Sequence, residues 1–342
     1  MTVGNKPDAR MSVARLLLCC WGMARGEWSR VTDLTDAGLV RPAARSEHIG
    51  AWDEARQVLL IHGGSNLEGD LWAFDATSEA WTRTVTAVAP AARAAHAAGW
   101  DPASQALWVH GGYNSQTLAW FRDGWRLQSG AWTLEFDDAG PSGREAHVAV
   151  WDESTAALWV HGGWTGTRHL SDLWRYNSNA HGWQELVPAP GGTPSGRSSH
   201  VAVWDSTAHA MWLHGGYGDA LLADLWTLRA ATLTWTEVSF SGGPSPRSGH
   251  TAVWDASSRL LWLHGGNDGF LRRDLWRYDS MENVWSLGHQ CSVTEREDAG
   301  EVSKLPYLPG WGWAHADHHV LRWCSTGQSE GVVAATVAFA AI

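Results

Sequence analysis

The tripeptide His-Gly-Gly occurs at His62, His110, His161, His214 and His264, spaced by 48, 51, 53 and 50 residues. A period near 50, built from short apolar runs and glycine turns, points to a radial β-repeat, the propeller. It overrides the two or three domains that a length of 342 residues would suggest. In such a chain the recurring residues build the blades, and the loops that do not recur carry recognition.

Aligning the units on His-Gly-Gly exposes a longer pattern. Each opens with Arg-x-x-His, at Arg45/His48, Arg93/His96, Arg144/His147, Arg197/His200 and Arg247/His250. Four residues after that His comes Trp-Asp, with Trp52, Trp100, Trp151, Trp204 and Trp254. The apolar runs between, such as Val201 to Trp204, suit a first strand buried on both faces near the propeller axis. A second strand, as in Leu261-Trp262-Leu263-His264, stops at paired glycines: Gly63/Gly64, Gly111/Gly112, Gly162/Gly163, Gly215/Gly216 and Gly265/Gly266. Glycine there permits positive φ and a close backbone approach. The third strand carries Asp-Leu-Trp at Asp70, Asp172, Asp224 and Asp274, degraded to Asp123-Gly124-Trp125 in the second unit. A closing Trp follows at Trp81, Trp132, Trp183, Trp235 and Trp285, which is 9, 7, 9, 9 and 9 residues after the third-strand Trp. That spacing predicts a tight hairpin in every unit.

Arg-x-x-His, a strand ending in Gly-Gly, an aromatic third strand and a closing Trp together resemble the kelch repeat, over residues 45–290. Trp-Asp in the first turn and His before Gly-Gly are this chain's own variants. The resemblance implies an all-β fold, a kelch-type β-propeller of four-stranded blades, and a binding scaffold rather than an enzyme. The units fall at 45–92, 93–143, 144–196, 197–246 and 247–289. Residues 1–13 read as an extension, 14–44 as strands of a closing blade and 290–310 as a polar loop. Residues 311–342 read as a partial sixth blade or an irregular tail. Trp21 and Trp28 repeat the Trp125–Trp132 spacing, so segments 14–33 and 311–342 are expected to form a composite sixth blade. The downstream half fits poorly, because no Gly-Gly appears there and His315 lacks the following Trp-Asp.

A net charge of -11 argues against a nucleic-acid partner. No apolar run reaches membrane-spanning length. Cys19, Cys20, Cys291 and Cys324 lie outside the repeats in no metal or disulfide pattern, so a reduced, cytoplasmic setting is expected. The apolar stretch Leu16–Ala24, following Arg10 and Arg15, leaves secretion open. Most of the 26 tryptophans fall at repeat positions and read as spacers between blades, each indole N–H needing a partner.

The repeated histidines are not expected to hold metal, because equivalent residues of different blades stand far apart around a ring. No cofactor is expected. The copper-oxidase members of kelch-like propellers need a tyrosine–cysteine crosslink, and this chain has no cysteine in its repeats. No nucleophile elbow, P-loop or carboxylate pair stands out.

Two binding candidates remain. Arg45, Arg93, Arg144, Arg197 and Arg247 each open an innermost strand and are expected near the channel mouth. Some kelch propellers bind acidic peptides through such arginines, so the expected partner is a protein, through an acidic segment. The competing reading pairs each arginine internally, for instance with the Asp of Asp-Leu-Trp. The second candidate is the set of loops after Gly-Gly, where Tyr113, Trp164, Tyr217 and Phe270 stand near the glycines in four units. Such rings are either interface anchors or covers for their own loops. A carbohydrate or small-molecule site is the alternative function, favoured if the rings prove exposed and coplanar, and an enzyme with an active site of non-repeated residues in the channel is the third. Oligomeric state is not readable.

Overall fold

In a computed structural model of the protein, residues 40–288 are described, and they form five four-stranded antiparallel blades arranged as a β-propeller. Blade one contains β1 (Ile49–Asp53), β2 (Val58–His62), β3 (Leu71–Asp75) and β4 (Ala80–Thr84). Blade two contains β5 (Ala97–Asp101), β6 (Ala106–His110), β9 (Gly124–Gln128) and β10 (Ala131–Phe136). Between β6 and β9 it adds a small hairpin, β7 (Tyr113–Asn114) and β8 (Ala119–Trp120). Blade three follows with β11 (Val148–Asp152), β12 (Ala157–Trp164), β13 (His169–Asn177) and β14 (Gly182–Leu186). Blade four is β15 (Val201–Asp205), β16 (Ala210–Tyr217), β17 (Leu221–Arg229) and β18 (Thr234–Glu237). Blade five is β19 (Thr251–Asp255), β20 (Leu260–His264), β21 (Leu275–Asp279) and β22 (Val284–Leu287). The expected composite sixth blade, at 14–33 and 311–342, lies outside the described residues.

Within each blade the strands pair in chain order, and β1, β5, β11, β15 and β19 are the inner strands, each beside the next around the axis. Their composition explains the position. Strands β5 and β11 are buried at every residue, so both pleat faces must be apolar or small. Outer strands such as β4 hold only exposed and half-buried residues, as an edge facing water requires.

The turn from first to second strand explains Trp-Asp. Asp53, Asp101, Asp152, Asp205 and Asp255 each accept a backbone N–H two or three residues on. This Asx geometry leads to a left-handed residue before the second strand, as at Gln57 (φ 57°) and Ala156 (φ 48°).

Tryptophan joins blade to blade. Trp108 stacks on Trp151 at 5.4 Å, Trp159 lies 5.6 Å from Trp204, and Trp212 stacks on Trp254 at 5.4 Å. Each pairs a second strand with the next blade's first strand, a contact worth about 0.5–1.5 kcal/mol beyond its area burial. In blade one Leu60 replaces that second-strand Trp and packs with Trp100 in one cluster. The expectation that every buried indole N–H finds a partner is corrected here. The Nε1–H groups of Trp108, Trp151, Trp159, Trp204, Trp212 and Trp254 donate to no partner among the described residues. Ring stacking outweighs the missing bond at these positions.

An arc of four backbone hydrogen bonds rims one end of the channel. Glu47, Ala95, Ala146, Ser199 and Gly249 all have φ between 51° and 65°. The N–H of Ala95 donates to the Glu47 carbonyl, Ala146 to Ala95, Ser199 to Ala146 and Gly249 to Ser199, at 2.7–2.9 Å.

Candidate functional site

The five arginines are buried, between 0% and 5% exposed. In blades two to five each guanidinium makes two parallel bonds to one carboxylate, Asp123, Asp172, Asp224 or Asp274, at 2.6–2.9 Å. Arg45 grips Asp70 in the same way. The same Nη1 atom also donates to the carbonyl of the first glycine of Gly-Gly, at 2.8–3.0 Å. Each aspartate receives a further bond from the indole N–H of the third-strand Trp two residues on. Burial pushes these carboxyls up, but the arginine bonds and charge together with the indole outweigh it and hold them below the usual carboxylate range.

This corrects the ring of free guanidiniums at the channel mouth. Arg45, Arg93, Arg144, Arg197 and Arg247 have their fork atoms filled from within the blade, so they offer nothing to an acidic segment. The physical reason is burial. An arginine at the head of an inner strand leaves water, and only a bidentate carboxylate offsets that loss.

The glycines complete the joint between blades. The N–H of Gly64 donates to the Arg93 carbonyl of the next blade, and Gly112, Gly163 and Gly216 repeat this with Arg144, Arg197 and Arg247, at 2.8–2.9 Å. A Cβ on Gly162 would lie 2.8 Å from the Arg197 carbonyl, at a φ of +66°. That closeness, at a positive φ, makes any side chain there strained.

Histidine pairs lie beside these joints. His62, His110, His161 and His214 each bond through Nδ1 to Nε2 of the following blade's Arg-x-x-His histidine, at 2.9–3.1 Å. The closing Trp of that following blade covers each pair, as Trp132 does His62 at 5.0 Å between ring centres. Burial, helped by the nearby arginine charges, pushes these four imidazoles down to about 3, so they are neutral. Among the described residues no group of three His, Cys, Asp or Glu side chains converges as metal ligands would. No described helix is long and apolar enough to cross a membrane.

A family model described as the KLHDC2/KLHL20/DRC7 Kelch-repeats domain matches residues 66–258 and 126–298, well over half of the chain. The chain belongs to the kelch-repeat family. Among curated proteins it is similar to "Mei4-dependent protein 6" of Schizosaccharomyces pombe (strain 972 / ATCC 24843), at 26% identity over 110 residues. That match covers 30% of this chain and only 15% of the relative's length.

In this kelch propeller the remaining candidates gather on the face of the loops between second and third strands. Tyr113 packs on Trp120 at 4.5 Å, both half-buried. Trp164 lies 4.5 Å from His169, and Tyr217 of the next blade meets the same His169 at 5.6 Å. Tyr217 is 46% and Phe270 74% exposed. The tilts between neighbouring rings are 35°, 47° and 74°, so they form no flat platform of the kind a sugar ring stacks on. Tyr113 and Trp164 thus cover their own loops, whereas Tyr217 and Phe270 stand out from theirs.

Four residues of this face carry no mark in the repeat pattern: Glu47, Trp120, Glu145 and His169. Glu145 Oε1 accepts from Trp120 Nε1 at 3.2 Å, joining blade three to the added hairpin of blade two. The available signal is departure from the pattern. Positions one and two after the repeat arginine hold Ser, Ala or Gly in every unit except at Glu47 and Glu145.

Proposed function

We propose that this kelch propeller is a non-catalytic interaction module that holds a partner protein on its second-to-third strand loop face. The observation that carries the reading is a division of labour. Residues common to all blades are used up inside the blades and their joints, while residues that differ between blades collect at one rim. Partly exposed aromatic rings on a rigid scaffold are the usual anchors of protein interfaces. A carbohydrate platform is not favoured, given the ring tilts above.

The test is affinity capture from a lysate with three forms of the protein. These are the wild type, the triple variant Trp164→Ser/Tyr217→Ser/Phe270→Ser, and Glu153→Lys in the exposed turn at the opposite end of the sheet. A partner held by wild type and Glu153→Lys but lost from the folded triple variant supports the reading. A partner retained by the triple variant and lost from Glu153→Lys places the interface on the other face and overturns it.

A further inference from the structure

Resting on that interaction reading, the charge distribution at the rim says what kind of group the partner presents. We propose that the channel mouth between blades one and three receives a basic side chain of a partner polypeptide, its cation held by Glu47 and Glu145 and its stem lying on Trp120.

The first ground is unbalanced charge. Among the described residues neither Glu47 nor Glu145 makes an ion pair. The five repeat arginines beside them in sequence are all engaged with aspartate. The only lysines of the chain, Lys6 and Lys304, lie outside the described residues. Arg122 and Arg168 are exposed on neighbouring loops, and neither bonds to these carboxylates. Two half-buried carboxylates without a cation are costly in isolation, and a ligand cation removes that cost.

The second ground is the cavity. Glu47 lines a cavity of about 150 Å³ on the propeller axis, whose walls include Ala95, Ala98, Ala146 and Ala149. His96, His147, His200 and His250 line the same cavity, each 1–6% exposed, and their Nδ1 atoms have no hydrogen-bond partner. Glu145 and Trp120 stand outside this lining, so the cavity meets the side chain at its Glu47 end, where apolar walls and unfilled polar atoms suit an amphipathic group. Trp120, tied to Glu145 through its indole N–H, presents its half-buried ring beside the carboxylate, where a cation gains from the π-face as well.

Titration of the site supplies the readout. Burial is the main cause that lifts Glu145 to about 7; the Trp120 hydrogen bond opposes it and the Glu47 charge adds to it. Burial also raises Glu47. A bound cation favours the ionised carboxylates, so affinity rises with pH through neutrality.

The probes are short glycine–serine peptides with one central lysine, arginine, norleucine or glutamate, titrated by calorimetry against the full chain. The lysine or arginine peptide is expected to bind, with affinity increasing from about pH 6 to about pH 8, and the norleucine peptide not to bind. Glu145→Gln is expected to weaken binding about tenfold and to flatten the pH dependence, with the melting temperature at neutral pH not lowered. Glu47→Gln is expected to weaken binding by a similar factor, and the double variant to abolish it. Binding of the glutamate peptide alone overturns the proposal, as does lysine binding indifferent to both substitutions or no binding of any peptide. None of these failures touches the capture experiment, which leaves both glutamates in place; loss of the capture result alone defeats the interaction reading.

Discussion

Arg144 and Glu145 are chain neighbours with opposite surroundings. Arg144 is fully buried and bonded to Asp172 and to the carbonyls of Ser142 and Gly162, an arrangement that its counterparts share in every blade. The Glu145 carboxylate has one hydrogen bond, from a Trp of another blade, and the residue has no counterpart of its own type at that repeat position. The belt between blades is closed and repetitive, and the rim is open and singular. Substitutions in the belt should therefore act on stability, and substitutions at the rim on binding.

Acidification tests the belt in all blades at once and should give the largest effect. The folded protein keeps His62, His110, His161 and His214 neutral to about pH 3, whereas the unfolded chain protonates them from about 6.5. Stability is thus complete above about pH 6.5 and falls as pH drops from there toward 3. The arginine-bound aspartates add a second loss below their ordinary value of 3.8. Thermal unfolding followed across pH should show a plateau above neutrality and a steep fall below it. A flat profile down to pH 4 breaks the picture of a neutral histidine belt.

Next in size is Arg144→Ala, which leaves Asp172 partly buried without its cation. It should cost about 3–5 kcal/mol in denaturant unfolding, because an uncompensated buried charge is what remains. Combining it with Asp172→Ala should recover part of the loss, a coupling that an exposed pair would not show. Gly162→Ala is expected to be milder, about 1–3 kcal/mol, through a left-handed Ala pressed against the Arg197 carbonyl of the next blade.

The smallest effect belongs to the rim. Glu145 is raised in the folded state, so its ionisation opposes folding increasingly as pH rises from its ordinary value of 4.5 to about 7, and by a constant amount above that. Glu145→Gln should leave stability unchanged near pH 4 and raise it slightly from about pH 7 upward, seen as a small upward shift in melting temperature. A large loss of stability would move Glu145 into the belt and erase the distinction.

Most of the belt was legible because geometry repeats where chemistry repeats. Arg-x-x-His, Gly-Gly and the closing Trp occupy in space the positions that their spacing implies, and the internal pairing of arginine with the Asp of Asp-Leu-Trp was one of two readings open in the sequence. What decided between them was burial, which spacing does not contain. The second unit shows the same limit. Its Gly124 replaces the Leu of Asp-Leu-Trp, and a Cβ there would fall 1.9 Å from the Phe136 ring, which fills the space instead. Strand β10 shifts register between Leu134 and Phe136, next to the β9 position that Gly124 occupies. A substitution compensated from a different strand leaves no local trace. The rim was hidden for the opposite reason, since Glu47, Glu145, Trp120 and His169 belong to no period, and only their proximity in the folded chain makes them a group.

The left-handed residues at the channel mouth have one more consequence. Their amides point from blade to blade around the axis, so the peptide dipoles run tangentially and contribute little field along the pore, unlike the stacked dipoles of a helix end. With the backbone contributing little field in that direction, the proposed preference for a cation rests on the side-chain carboxylates at the opening.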